Sequence, residues 1–521
     1  MFDLGMTFLS ATERRSDAEA IVDGKTRLTY GQWFECIRRV AGGLSEVGLR
    51  SGDHFVFVLK NRWQSATLHW ACQLIGVVAT PINWRAKAEE INFVLRDADA
   101  KVVAFEPSTS AAVYEAVASY RVICLGVNIN SDVNFEDLSK SKPADKIGVV
   151  KPDDISVMLY TSGTTGQGKG VPRSHRAERS ATIAHIVQNE YAQSERILGV
   201  MPLYHTMGVR SLLSMALING CFVCQPRFDA EEALRLIEEE KITALYLVPT
   251  LYHDLIEHKN FPRFNLESVR RLGSAGAPFE AGLLQRVNDG FRPRRFVNHY
   301  GSSEIYTFTV EPDAPGNPGS AGRAGINQRI RIVKIGSNDP AETVETGETG
   351  QIIADLGSEE AFTGYWKRPE DDKKSLQKGW YFTGDIGRFD IQGKLFLEGR
   401  IDDMIICGGE NVYPVEIETI LLRYPGVLEA AVVGIPDERW GAKVTAFLRI
   451  EEAICGKDLD KFCRDSSLAD FKRPRTYVFV KNIPKSPVGK ILRRLLVAGD
   501  YELDGRISTD SDGNTEEMRE V

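Results

Sequence analysis

The stretch Tyr160-Thr161-Ser162-Gly163-Thr164-Thr165-Gly166-Gln167-Gly168-Lys169-Gly170 constrains this chain most. An apolar run, Ile155 to Leu159, leads into it and predicts a buried strand. Four hydroxyls, four glycines and one lysine then follow within ten residues. Glycines let the backbone aim its N–H groups at one point, and hydroxyls add donors. A lysine brings a mobile positive charge, so the segment suits a polyphosphate. Gly163-x4-Gly168-Lys169 matches a P-loop except at Gly170, where a Ser or Thr should bind Mg²⁺. A flexible polar turn after a strand is the plainer alternative. Alone, the segment does not choose.

Upstream, the chain alternates. Arg27 to Tyr30 reads as a strand and turn, and Gln32 to Gly48 as a helix with Trp33, Ile37, Val40, Ala41 and Leu44 at helical spacing. His54–Leu59, Val77–Ile82 and Val102–Phe105 read as strands, with helices over 63–76 and 87–98 between them. Strands alternating with helices predict a doubly wound α/β architecture. Trp70 and His69 are expected in the core.

Downstream, Ser174 is positioned to cap a helix running to Ile186. In Pro202-Leu203-Tyr204-His205-Thr206-Met207-Gly208-Val209-Arg210, a histidine follows a strand. Arg210 is expected to form a surface ion pair, the alternative being that it reads a polar group on a ligand. Ala230–Ile242 predicts an amphipathic helix and Ala244–Val248 a buried strand. Arg271 to Pro278 reads as a strand and a Gly/Ala-rich turn that can approach a flat ligand closely. Tyr300-Gly301-Ser302-Ser303-Glu304 offers an aromatic face, hydroxyls and a carboxylate suited to a hard cation. Pro312 to Gly325 reads as a long exposed loop.

A smaller β-rich unit is expected from Ile330 on, with Asp385 ending a strand where it can accept hydrogen bonds from two hydroxyls. Around Gly399 to Asn411, charges interrupt two apolar runs and Gly408-Gly409 opens a loop, as at a domain boundary. A helix over 414–422 and strands Ala430–Ile435 and Val444–Ile450 follow. Pro484 to Arg494 is a Pro/Gly loop presenting Lys490. From Gly499 the chain is acidic and polar, and is expected to be a disordered tail.

With 521 residues, 43% hydrophobic and 26% charged, this is an ordinary globular composition with room for two to four domains. A net charge of −8 argues against a nucleic-acid partner. No apolar run reaches the ~18 residues of a membrane span, and the start has no secretory pattern. Eight cysteines without a metal-site pattern predict free thiols, with Cys221-Phe222-Val223-Cys224 the body of a strand. A cytoplasmic location is the default expectation. The sequence leaves oligomeric state open, a homodimer included.

The loop resembles the YTSGTTGxPKG signature of the adenylate-forming superfamily, with Gly168 in place of proline. Tyr300 to Glu304 resembles that family's YGxTE, with Ser303 for threonine. Thr383-Gly384-Asp385, Gly399-Arg400-Ile401-Asp402-Asp403 and Pro484-Lys485-Ser486-Pro487-Val488-Gly489-Lys490 match its later motifs in order. The resemblance implies an N-terminal adenylation domain over 1–400, built of doubly wound sheets plus a β-rich subdomain. It implies a mobile α+β C-terminal domain over 403–498, with the tail at 499–521.

It further implies an AMP-forming acyl-CoA synthetase with ATP, Mg²⁺ and coenzyme A. Thr161, Ser162, Gly163, Thr164, Thr165, Gly166 and Lys169 would hold phosphates. Ala275 and Gly276 would flank adenine and the acyl group, with Tyr300 stacking, Gly301, Ser302 and Ser303 near phosphate, and Glu304 on Mg²⁺. Asp385 and Arg400 would take the ribose, Asp402 would be the hinge, and Lys490 would complete adenylation. His205 would lie near the acid's carboxylate. Gly408 and Gly409 would pass pantetheine, while Trp440, Phe471, Arg473 and Arg475, with Lys472, would meet CoA's adenine and phosphate.

Met201 to His205, Asp402 to Ile406 and Ala469 to Pro474 look most like the 4-chlorobenzoate–CoA ligase group. Pocket candidates are Ala184, His185, Thr206, Met207, Val248, Tyr306 and Thr307, a mixture suited to a compact flat ring. A benzoate- or furoate-type acid is the expectation. A short- or medium-chain fatty acid ligase, a carrier-protein-loading adenylation enzyme and a non-catalytic nucleotide-binding regulator are the alternatives.

Overall fold

The computed structural model describes residues 2–144, 150–161, 168–451, 454–466, 468–485, 491–504 and 509–510. It divides into two compact units, Met1–Ile330 with Ala354–Tyr381, and Arg331–Ile353 with Phe382–Val521.

The first unit carries the predicted strand–helix alternation as two sheets. One sheet has seven strands, in the order Val133–Asn134, Ile123–Gly126, Val102–Phe105, His54–Val58, Val78–Pro81, Ile155–Thr161 and Lys169–Ser174. All its pairs are parallel except the last. Within the first unit the second sheet includes, in order, Ser320–Ala324, Thr309–Glu311, Arg295–Tyr300, Arg271–Ser274, Ala244–Leu247, Arg196–Gly199, Cys221–Cys224, Glu19–Asp23 and Thr26–Thr29, parallel from Arg295–Tyr300 to Glu19–Asp23 and antiparallel at both ends. Strands such as His54–Val58 and Cys221–Cys224 are buried along their whole length. Helices cover both faces of such strands, which is why they read as continuous apolar runs. All eight cysteines are free, and Cys221 and Cys224 pack as strand core.

Helix ends follow local chemistry. The Ser174 side chain accepts a hydrogen bond from the Ala177 N–H and starts the helix His175–Gln188. The helix Ala230–Glu239 is shorter than expected, ending where its last turn is acidic and exposed. Residues Pro312 to Gly325 are not a long exposed loop. Ser320–Ala324 is a strand that pairs antiparallel with Thr309–Glu311, and Ser320, Ala321 and Gly322 are buried. A Cβ at Gly322 would lie 1.9 Å from the Val310 carbonyl oxygen, so a glycine read as loop punctuation instead lets two strands approach.

In the second unit, Trp380–Phe389 pairs antiparallel with Leu395–Arg400. Asp385 therefore stands inside a ten-residue strand and does not end it. Val427–Asp437 and Gly441–Ile450 form a long hairpin, and Thr476–Phe479 adds in parallel to its second strand. The start of the expected tail is ordered. The Tyr501 ring packs edge-on against Phe447, and the Asp504 N–H donates to the Phe479 carbonyl at 3.0 Å. Thr509–Asp510 pairs with Thr476 and Tyr477, while residues 505–508 and 511–521 lie outside the described residues.

Among the described residues no helix is long and apolar enough to cross a membrane.

Candidate active site

The glycine-rich loop joins two antiparallel strands, with Tyr160 opposite Gly170 and Thr161 opposite Lys169. A P-loop leads from a strand into a helix, so this connection excludes that reading. Gly170 has its own reason to be glycine. A Cβ there would meet the Trp366 Cβ at 3.0 Å and the Met158 sulfur at 3.1 Å, and the Gly170 carbonyl accepts the Trp366 N–H at 2.9 Å. Ser162, Gly163, Thr164, Thr165 and Gly166 lie outside the described residues. The Lys169 ammonium donates to Asp371 at 2.6 Å and sits 5.2 Å from the centre of the Tyr365 ring.

The strand that leaves the loop carries a residue whose role the sequence reading missed. Arg173 is fully buried and pairs with Glu178 at 2.9 Å. Its Nη1 donates to the backbone carbonyls of Glu304 at 2.8 Å and Glu360 at 2.5 Å, and its guanidinium lies 4.0 Å from the Tyr306 ring. One cation thus ties the loop strand to the Tyr300–Glu304 motif. The available signal was a lone arginine in the otherwise apolar run Val171-Pro172-Arg173.

Glu304 is buried, and its Oε1 accepts the Tyr365 hydroxyl at 2.7 Å. Burial and the Glu304 charge push the Tyr365 pKa up, which keeps that hydroxyl a donor. The Glu304 carbonyl also accepts from the Phe362 N–H at 2.9 Å. Gly301 has no room for a side chain, since a Cβ would lie 2.1 Å from the Tyr306 carbonyl oxygen. Ser302 turns the motif by donating its N–H to the Ile305 carbonyl at 3.0 Å. Tyr300 and Ser303 are half-buried beside it, with Tyr300 edge-on to Phe308.

Among the described residues no group of three or more metal-ligating side chains exists. A single carboxylate with one oxygen already orienting on a tyrosine hydroxyl fits Mg²⁺, which takes one or two carboxylates and completes its shell with water and phosphates.

His205 caps the helix Thr206–Ile218, its Nδ1 accepting the Met207 N–H at 3.3 Å. That bond puts the ring proton on Nε2. Desolvation and then the nearby Arg210 charge lower its pKa to about 4, so the ring is neutral at pH 7. Gly276, at φ +88°, brings its backbone to Val248 and Met207; a Cβ there would meet them at 3.3 and 3.9 Å. Ala275 beside it is half-buried. Thr206, Met207, Val248, Tyr306 and Thr307 are all buried.

Two further pocket candidates, His185 and Ala184, have these surroundings. His185 is packed among Tyr246, His299 and Tyr191, at ring-centre distances of 4.6, 5.2 and 5.4 Å. Ala184 lines a surface groove with Ile183, Val187 and Ile326.

Arg210 corrects an expectation. It is not on the surface and, among the described residues, forms no ion pair. It is 1% exposed, donates from Nη1 to the Thr307 hydroxyl at 3.2 Å, and lies 5.0 Å from the Tyr306 ring centre. On the helix it stands three residues after Met207, so it shares that inward face.

In the second unit Asp385 and Arg400 face each other across two strands and pair at 2.9 Å. Gly384 adopts φ +76°, and a Cβ there would approach the Arg400 guanidinium to 3.0 Å. Asp402 sits in the short 3-10 turn Ile401–Asp403. Gly408 and Gly409, at φ +61° and +88°, make the two-residue turn of the hairpin Ile405–Val412. The Gly408 N–H donates to the Trp440 carbonyl at 2.9 Å. Arg475 reaches over the Trp440 ring at 6.0 Å and Phe471 is exposed.

Arg473 departs from the expected CoA set. It is buried and paired with Asp460, because leaving that buried carboxylate alone is costly. Lys472 is engaged by Glu416 at 2.6 Å. Lys490 lies outside the described residues; of its described neighbours, the Leu492 N–H donates to the Pro484 carbonyl at 2.9 Å, and Lys485 pairs with Glu429 at 2.6 Å. Arg493, just beyond, joins Asp403 at 3.6 Å to the buried Glu418 at 2.5 Å.

Comparison with known proteins adds identity to this geometry. Residues 8–366 match the AMP-binding enzyme family and residues 416–490 its C-terminal domain. The chain is 32% identical to a 4-chlorobenzoate–CoA ligase of an Arthrobacter species, covering 93% of each chain. It is also 32% identical to the long-chain fatty acid–CoA ligase FadD13 of Mycobacterium tuberculosis, covering 92% of this chain and 94% of that one. Among solved structures it superposes on ATP-bound MatB from Rhodopseudomonas palustris with a TM-score of 0.86 and 27% identity, over 96% and 99% of the two chains. The chain belongs to the AMP-binding enzyme family, the adenylate-forming superfamily, and is an ATP-dependent, AMP-forming acid–thiol ligase.

Proposed function

We propose that the chain converts a compact, small-ring carboxylic acid of the benzoate or furoate type into its CoA thioester through an acyl-adenylate. The observation that carries the acid assignment is the meeting of Met207, Val248 and Gly276 beside the His205-capped helix end. A thioether, a branched alkyl group and bare backbone make a flat wall, and flat walls suit flat rings.

The acid carboxylate attacks the α-phosphate of ATP and expels pyrophosphate. Neutral His205, with its proton on Nε2, donates to the carboxylate and orients it without adding charge. Lys169, freed from Asp371, and the loop hydroxyls Thr161, Ser162, Thr164 and Thr165 receive the phosphates. Glu304, held by Tyr365 and by Arg173 through the backbone, would hold Mg²⁺, which supplies compensation for charge on the phosphate oxygens. Lys490 stabilises the same charge from the C-terminal loop. The Asp385–Arg400 pair supports a ribose-binding role, the carboxylate accepting from the hydroxyls while the arginine fixes its rotamer.

In the second step the CoA thiol attacks the mixed anhydride and AMP leaves. Rotation at Asp402 withdraws Lys490 and presents the Gly408–Gly409 turn, where the absence of side chains leaves a path for pantetheine. Trp440 and Arg475 offer an aromatic face and a cation for CoA's adenine and phosphate. A fatty acid ligase is the second reading, favoured by the groove of Ile183, Ala184, Val187 and Ile326, which suits an alkyl tail.

Acid-dependent ATP–pyrophosphate exchange over benzoates, furoate and a ladder of fatty acids tests the assignment. A maximum on ring acids supports it, and one on alkyl acids replaces it with the second reading.

A further inference from the structure

Arg210 is a buried cation with an unfilled donor. Among the described residues its Nε has no hydrogen-bond partner although the atom is shut away from water, and the side-chain bond found there is to Thr307. An unmet buried donor is costly, and a charged one more so. The other buried arginine described nearby, Arg173, also leaves one donor unmet at Nη2, but its charge is matched by Glu178.

The carboxyl group that faces Arg210 is Glu360. Its Oε1 accepts from Asn327 at 3.2 Å, and burial raises its pKa while the Arg210 and Arg173 charges lower it. Among the described residues neither Glu360 nor any other carboxylate forms an ion pair with Arg210, so the guanidinium has no matching negative charge in contact with it. The neighbouring imidazoles do not supply one, because His185 and His299 are driven to the neutral form by burial and by Arg210 itself.

We propose that Arg210, with the Thr307 hydroxyl, binds a second anionic group on the acid substrate, in the simplest case a second carboxylate, at the end of the pocket away from the reacting one. This rests on the reading of Met207, Thr307 and their neighbours as the acid pocket. Arg210 follows Met207 by one helical turn, so a substrate lying along that face presents its reacting end to His205 and its far end to the guanidinium. A planar fork with a free N–H and a hydroxyl beside it matches a carboxylate's two oxygens. Specificity then comes from both sides, because an acid without the second anion leaves the buried donor unmet.

The test uses the full-length enzyme and matched acids: butyrate with succinate, pentanoate with glutarate, hexanoate with adipate, and benzoate with its 3- and 4-carboxy derivatives. The reading is kcat/KM in ATP–pyrophosphate exchange. At least one diacid should exceed its partner roughly 10- to 100-fold, the range for a hydrogen bond to a charged group, and KM should carry most of it. Arg210→Met should abolish that preference while leaving the neutral partner within a few-fold. Arg210→Lys should keep part of the preference, which guards against a Met variant that fails to fold. A wild-type enzyme that prefers the neutral member of every pair overturns the proposal and leaves the ligase reading intact. Absence of exchange with every acid overturns both.

Discussion

Arg173 donates from Nη1 to the carbonyl of Glu304 at 2.8 Å, joining the strand that leaves the phosphate loop to the residue proposed to hold the metal. The two are 131 positions apart in the chain. Their link ties the strand Lys169–Ser174 to the acidic motif through a cation that Glu178 neutralises.

Breaking that cation should cost stability before it costs chemistry. Arg173→Met leaves Glu178 buried and alone, and should destabilise the first unit by about 3–5 kcal/mol. Arg173→Met with Glu178→Met should recover a large part of the loss. Urea unfolding of the single and double variants checks this, and additive losses would show that the pair is not coupled.

Tyr365→Phe removes the hydroxyl that orients Glu304 and nothing else of its volume. Adenylation should fall about 10-fold, with more Mg²⁺ needed for half-maximal rate, as expected when a group that orients a ligand is lost. Stability should drop by only ~1 kcal/mol. A Mg²⁺ titration of exchange activity, with a melting curve alongside, separates the two effects.

Acid should unfold this protein early. Burial lowers the pKa of His54, His175 and His205 to about 4 and of His69 to about 3. Each is neutral in the folded state and free to protonate near 6.5 once unfolded, so the unfolded chain binds more protons in that window. Their stabilisation is complete above about pH 6.5 and is lost as pH falls towards 4, with each adding ~1.4 kcal/mol per pH unit to the slope. Chemical unfolding between pH 4.5 and 8 measures it. A flat profile below 6.5 would contradict the buried, neutral histidines.

The two arginines flanking Pro474 should part company. Arg475→Ala should raise KM for CoA several-fold with little change in melting temperature. Arg473→Ala should destabilise the second unit by removing the buried cation from Asp460 Oδ1, leaving only the half-exposed Arg464 on Oδ2, with KM for CoA unchanged in the folded fraction.

The sequence was most legible where local chemistry acts alone. The strand into the loop, the Ser174 cap and the positive-φ pair Gly408–Gly409 all follow from residue type within a few positions. Arginines were the blind spot. Arg173, Arg210 and Arg473 are all buried, and each bonds to a residue outside its own strand, helix or turn: Glu304, Thr307 and Asp460. A charge is read as exposed until its partner is known, and that partner is a tertiary fact. Asp385 and the strand Ser320–Ala324 failed for a related reason, since antiparallel pairing can continue through Gly-rich sequence when another strand supplies the ladder.

The central claim is that the acid is activated as its adenylate, and oxygen tracing tests it most directly. The enzyme is given benzoate labelled with ¹⁸O in both carboxylate oxygens, or the acid that gives the highest exchange, together with ATP, Mg²⁺ and CoA. Products are weighed by mass spectrometry. Attack of the carboxylate on the α-phosphate predicts one ¹⁸O in AMP and one retained in the thioester carbonyl. Label in inorganic phosphate, with ADP in place of AMP, would contradict the account.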